Sequence, residues 1–171
     1  MKKKGLSFYC IILLLICQCF ISLTSVSAIS ESRKERIANR CDVIHDNLKE
    51  LQRNDSRVRI NLGRYYDTIL TGFMMPLSNW LEENSFSGST GLLSNQDNFY
   101  QTQVDFRADY IEYQKELEIL GLMDCKAEPE AFYDKLVEVR EKRKIVTEDV
   151  AKLKKIATRQ IKLVRDLEAE L

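Results

Sequence analysis

The sequence has few residues that interrupt helices. Only two prolines and six glycines occur among its 171 residues, whereas 30% of the residues are charged. Because glycine and proline are the residues least favourable to helices, and because much of the remainder is Leu, Ile, Lys, Glu, Arg and Asp, long helices are favoured over sheet. A chain of this length is expected to form one compact domain.

Histidine is also scarce, since His45 is the only one in the chain. A Ser-His-Asp arrangement cannot be built with confidence from a single histidine, and no second histidine is present to activate a cysteine. The sequence has no glycine-rich phosphate loop and no pair of carboxylates in a pocket-forming loop. It therefore predicts a protein that is not an enzyme, with no cofactor and no small-molecule substrate.

The first 28 residues contain no acidic residue, and this segment has the pattern of an export signal. All 26 acidic residues lie beyond Ala28, but three of the 26 basic residues (Lys2, Lys3 and Lys4) do not, so the remainder has a net charge of −3. This balance excludes a generically basic nucleic-acid binder. An apolar run follows the lysines and ends in Val26-Ser27-Ala28, which is typical of a cleaved signal peptide over residues 1–28.

An uncleaved membrane anchor is the alternative, because the apolar run from Leu6 to Leu23 is 18 residues long, at the lower limit for spanning a bilayer. A lipid anchor is less favoured, since neither Cys17 nor Cys19 follows a small residue. We therefore expect an exported protein, secreted or at the cell surface, that contacts the membrane only through this segment if the segment is retained.

Apolar residues that recur every three or four positions predict a first helix over about residues 31–83. The apolar stripe moves by one residue after Ile69, continuing with Leu70, Phe73, Leu77 and either Trp80 or Leu81. Pro76 lacks a backbone donor and crowds the carbonyl four residues before it, so we expect a kink at Met74 to Met75.

The segment NSFSGSTGLLSN, residues 84–95, predicts a loop in which Ser94 caps the next helix. That helix, over about 95–120, carries two apolar stripes and therefore has two packing partners. Pro129 suits a first helical position and begins a third helix over 129–171. The prediction is an all-α, elongated, three-helix antiparallel bundle over residues 29–171, favoured as a monomer.

Two cysteines, Cys41 and Cys125, remain after cleavage, and an even number in an oxidising compartment suggests a disulfide. Cys41 lies near one end of the first helix, and Cys125 lies in the connection that must return to that end. The alternative is two buried free thiols. Cys41 and His45 share a helical face, but no third ligand is evident nearby, so no metal site is predicted.

Asp55 and Arg143 interrupt the apolar stripes of the two longest helices. If these helices run parallel, the two side chains fall at nearly the same level and can form an ion pair that fixes the register. The alternative is that both are half exposed where the middle helix has ended.

A basic stripe, defined by Lys152, Lys155, Arg159 and Lys162, follows one side of the last helix. It could bind an anionic wall polymer, a membrane surface or nucleic acid through phosphate charge. A solvated helix face is favoured, because no aromatic residues alternate with the basic ones.

The start of the first helix at Arg40-Cys41, the aromatic middle helix, and Cys125 followed by Ala131-Phe132-Tyr133, Leu136 and Val139-Arg140 resemble small exported helical proteins of the candidate phyla radiation bacteria. This group has no assigned activity. The resemblance implies a bacterial surface or secreted protein with the cysteine pair, and implies nothing about a ligand. The glycine usual after the second cysteine is missing here.

Together these observations predict a noncatalytic, exported helical module with a structural or interaction role. Its partner would be an unknown protein or a surface polymer. The alternative function is binding of anionic polymers through the basic stripe.

Overall fold

The computed structural model describes residues 29–86 and 89–169, and all regular structure in these ranges is helical. The predicted all-α class is therefore confirmed. The predicted signal peptide lies outside the described residues. Within these ranges, no helix combines the length and the apolar character that crossing a membrane requires.

Five α-helices and one π-helical turn occur in the described ranges. Helix α1 comprises Glu31–Asn39 and α2 comprises Cys41–Ile69; a π-helical turn, Leu70–Met74, joins α2 to α3, Met75–Glu83. Helix α4 comprises Ser89–Leu122 and α5 comprises Pro129–Glu168. Pro129 occupies the first turn of α5, as predicted, where its missing N–H costs nothing.

The middle helix is longer than predicted, and the predicted loop is shorter. Helix α4 begins at Ser89 rather than near residue 95, so Ser94 lies inside it and does not cap it. The Ser, Gly and Asn composition suggested a loop, but Leu92 is buried, at 1% exposure. Burial of that side chain, and of Asn95 one turn later, compensates for weak local propensity. Helix α4 therefore covers more of the long helices than the predicted helix over 95–120 would.

The π-helical turn lies immediately before Pro76 and accounts for the shift of the apolar stripe. A π turn contains one residue more than an α turn, so it rotates the rest of the helix by about one residue. Leu70, Met74 and Leu81 are buried, whereas Phe73 and Trp80 are 43% and 53% exposed. The sequence predicted a kink at Met74 to Met75; the structure has a π turn over Leu70–Met74, with Met74 and Met75 helical, and it selects Leu81 over Trp80 for the core.

Contacts between the long helices show their directions. Lys142 of α5 contacts Glu112 of α4, and Gln160 contacts Asn95, so α4 and α5 run in opposite directions. Asp55 contacts Arg143 and the Tyr66 hydroxyl lies 3.5 Å from the carbonyl of Val150, so α2 and α5 run in the same direction. Two apolar clusters lie along this length, one around Phe132 and Leu120 and the other around Phe99 and Leu153.

Candidate functional site

Cys41 and Cys125 lie together at one end of the molecule. Cys41 is the first residue of α2 and Cys125 lies between α4 and α5; both are buried, and their Cα atoms are 5.6 Å apart. The structure thus places the pair at disulfide distance, as the sequence predicted. The cross-link joins residues 84 positions apart, so it attaches the start of α2 to the connection that leads into α5.

His45 lies one turn after Cys41, beside this pair. Its Nε2 atom is 3.1 Å from the carbonyl oxygen of Met123, and its ring is 6.2 Å from that of Phe132. Potential ligand atoms of Cys41, His45 and Cys125 lie within 4.8 Å of one another, so the third ligand that the sequence did not reveal is Cys125. Two sulfur atoms bonded to each other are not thiolates, and the thiolate is the form in which cysteine binds metal. The geometry therefore favours a cystine with a neighbouring histidine.

Asp55 and Arg143 face each other across α2 and α5. Arg143 donates to Asp55 through Nε at 2.9 Å and through Nη2 at 3.1 Å, and the hydroxyl of Tyr113 donates to the same carboxylate at 2.7 Å. Tyr113 belongs to α4, so the middle helix has not ended at this level, contrary to the alternative considered from the sequence. Burial, together with the hydrogen bond to Asp55, raises the pKa of Tyr113. All three long helices therefore meet at one carboxylate.

The basic stripe lies on the exposed side of α5, but its four members differ. Lys152 donates to Asp149 at 2.8 Å, and this contact raises the pKa of Lys152. Lys155, Arg159 and Lys162 are exposed and form no ion pair with any residue that the structure describes. The positive charge open to a ligand therefore comes from three residues rather than four.

Asp149 is a buried acid that the sequence analysis missed. It is 1% exposed, and its Oδ1 accepts a hydrogen bond from Lys152. No described residue donates a hydrogen bond to its Oδ2 among the contacts of the ionised form. Burial first, and then the hydrogen bond to Asp149, raise the pKa of Asp109 of α4, and a protonated Asp109 can donate to the Asp149 carboxylate. Asp149 lies seven residues after Lys142, which also faces α4, and this spacing is the sequence signal that could have placed Asp149 against α4.

An apolar groove runs between α2 and α5 on the side away from α4. Both helices pack on α4, but their backbones approach each other far less closely than those of α4 and α5 do. The groove contains an open cavity of about 530 Å³ near Leu51 and Leu136 and another of about 440 Å³ near Tyr65 and Ile161. A smaller cavity between them is lined by Val58 and Val150. We call this surface the α2–α5 groove.

The described residues thus define an all-helical protein with a buried cysteine pair, a three-helix polar contact and an open apolar groove. Comparison of the chain with models of protein families, with curated proteins and with solved structures gives no match.

Proposed function

We propose that the chain is an exported, noncatalytic interaction module, an elongated three-helix bundle behind a cleaved signal peptide, at the bacterial surface or outside the cell. The observation that carries this proposal is the Cys41–Cys125 pair. A buried pair at disulfide distance suits an oxidising compartment, and in the cytosol such pairs are kept reduced. The signal-like sequence of residues 1–28 and the resemblance to exported helical proteins of the candidate phyla radiation are consistent with it.

The arrangement of the described titratable groups supports a noncatalytic role. The single histidine is next to the cysteine pair, and the Asp55 carboxylate is committed to Tyr113 and Arg143. These contacts hold helices together. The described cavities lie between helices, in the α2–α5 groove, and their linings are mainly apolar.

Fractionation with cross-linking in the native host tests this function. The chain should be found outside the cytoplasmic membrane. It should be cross-linked to one main protein partner, in a complex that contains one copy of the chain. Retention in the cytosol with reduced cysteines would contradict export. Recovery only as an uncross-linked chain would contradict the interaction role.

Binding of anionic polymers is a second candidate because Lys155, Arg159 and Lys162 are exposed without a described acidic partner. Replacing these three with Gln should abolish retention on heparin or DNA, and wild-type retention should fall steeply with salt. The control replaces Arg53, Arg57 and Arg64 of α2, which lie on another surface, with Gln and loses the same charge. Passage of the wild type through either column at low salt would exclude this candidate.

A further inference from the structure

The walls of the α2–α5 groove expose apolar side chains that the fold leaves uncovered. Val58 and Tyr65 on α2 are 54% and 59% exposed, and Ile161 on α5 is 50% exposed. Leu51 and Leu136 are half-buried and extend the same surface towards the cysteine pair. These apolar side chains lie on both sides of the Asp55–Arg143 ion pair, which crosses the middle of the groove. An exposed apolar surface of this kind on a small protein indicates an interaction site.

The two rims of the groove differ in charge. The α2 rim has uncharged side chains at a seven-residue spacing: Asn47, Asn54, Asn61 and Thr68, all exposed. The α5 rim has Arg140 and Lys154, which are exposed and which no described acid pairs with, whereas Arg143 between them is paired with Asp55. The four α2 rim positions are therefore neutral, although Arg59 lies deeper in the α2 wall with its guanidinium over the Tyr110 ring. The α5 rim has positive charge without a counter-charge.

We propose that the α2–α5 groove binds one amphipathic α-helix of a partner protein, with acidic residues along the edge that faces α5. This inference rests on the proposed interaction role and specifies its surface and the chemistry of its partner. The apolar face of the bound helix packs on Leu51, Val58 and Val150, and its acidic edge pairs with Arg140 and Lys154.

The dimensions of the groove suit a single helix. From Ile44 to Phe73 the wall formed by α2 and the π-helical turn covers about 43 Å at the helical rise, and a helix is about 10 Å wide. The covered area is therefore on the order of 400–500 Å² on each partner, about half of the 800 Å² that a stable protein interface buries per side. One helix of seven or eight turns fills this surface, whereas a dimer would need a larger one.

A symmetric dimer formed through the groove would lack the counter-charge for the α5 rim. In such a dimer the α5 rim would face either the α2 rim of the second copy, where Asn47, Asn54, Asn61 and Thr68 are uncharged, or its α5 rim, which repeats Arg140 and Lys154. Residues 1–28 also contain no acidic residue. An acidic flank on the helix of a partner protein supplies the counter-charge that a groove-to-groove dimer and residues 1–28 lack.

Two synthetic peptides of about 28 residues test the inference with the mature chain, residues 29–171. They share one Leu and Ile face and equal helix content, and they differ only in having Glu or Lys along one flank. The Glu peptide should bind at least about tenfold more tightly in fluorescence anisotropy, and its affinity should fall with salt. Arg140→Glu combined with Lys154→Glu should reverse this preference.

Val58→Glu should weaken binding of the Glu peptide by at least about tenfold because it places a charge in the apolar wall. Val43→Glu is the matched control: Val43 is 59% exposed on α2 but lies outside the groove, and its replacement should leave binding unchanged. Since both valines are exposed, both variants should fold, and thermal melting checks this.

Equal affinity of the two peptides, no binding of either, or equal effects of Val58→Glu and Val43→Glu would overturn the inference. Self-association of the wild type that Val58→Glu abolishes would also overturn it, because it would assign the groove to a second copy. A native partner still cross-linked to Val58→Glu would refute the groove while leaving the interaction role in place. If the wild type is cross-linked to no partner in the native host, the interaction role itself is refuted.

Discussion

At the scale of residues, the Asp109–Asp149 contact makes stability depend on pH in an unusual direction. Burial, the hydrogen bond to Asp149 and the negative charges of Asp149, Asp105 and Glu112 raise the pKa of Asp109 above 3.8, its ordinary value. The folded protein therefore binds this proton more tightly than the unfolded chain does. The resulting stabilisation is complete below the ordinary pKa and is lost as pH rises through the raised pKa.

Asp109→Asn should therefore stabilise the protein at pH 7, by about 2–4 °C in melting temperature, because the amide keeps a donor for Asp149 without the like charge. Its advantage over the wild type should shrink as pH falls towards 4. Lys152, which pairs with Asp149, keeps its charge throughout this range. Melting curves at several pH values measure the difference; an advantage that grew on acidification would contradict the assignment.

The Asp55 contact predicts a ranking of substitutions. The Tyr113 side chain is buried and its hydroxyl donates to a carboxylate, so Tyr113→Phe should cost about 1.5–3 kcal/mol of unfolding free energy. Arg143 is 51% exposed, so Arg143→Gln should cost less than about 1 kcal/mol despite its two hydrogen bonds. Urea denaturation of both variants tests this order. A larger loss of unfolding free energy for Arg143→Gln than for Tyr113→Phe would contradict it.

At the scale of elements, the sequence predicted helix types more reliably than helix ends. The start of α5 followed from Pro129, whose preference is local. The start of α4 did not, because burial of Leu92 and Asn95 against other helices cannot be read from the polar composition around them. In the same way, the Asp55–Arg143 contact could be predicted from matching levels on two helices, whereas the Asp109–Asp149 contact depended on the rotation of α4.

The glycine in the middle of α2 offers a direct test of helix propensity. A Cβ added at Gly63 would meet no atom within 4 Å, and the residue is helical. Gly63→Ala should therefore raise the unfolding free energy by about 0.5–1 kcal/mol, because alanine loses less backbone entropy. Urea denaturation measures the gain. Destabilisation would show that a side chain at this position meets something that the structure does not place there.

The π-helical turn predicts the environment of Trp80, the only tryptophan in the chain. With the extra residue of this turn, Leu81 is buried and Trp80 is 53% exposed. Fluorescence of Trp80 should therefore be readily quenched by iodide. Emission that is shielded from iodide in the folded protein would mean that the helix continues without the π turn and buries Trp80.

At the scale of the whole molecule, the cysteine pair ties the end of the fold that has the longest connection. Cross-linking over 84 residues restricts the unfolded chain and should contribute roughly 2–4 kcal/mol. Cys125→Ser should therefore lower the melting temperature by about 4–16 °C while leaving helix content unchanged, since Lys34–Glu130 and the apolar cluster around Phe132 still hold this end. Circular dichroism measures both quantities; a large loss of helix would contradict this account.

We propose an exported module with a joined cysteine pair, and the intact mass of the protein from its native compartment tests this proposal most directly. We predict a chain that begins at Ile29 and is two hydrogens lighter than its reduced form, with Cys41 and Cys125 joined. A chain that retains residues 1–28, is found in the cytosol and has two alkylatable thiols would contradict it.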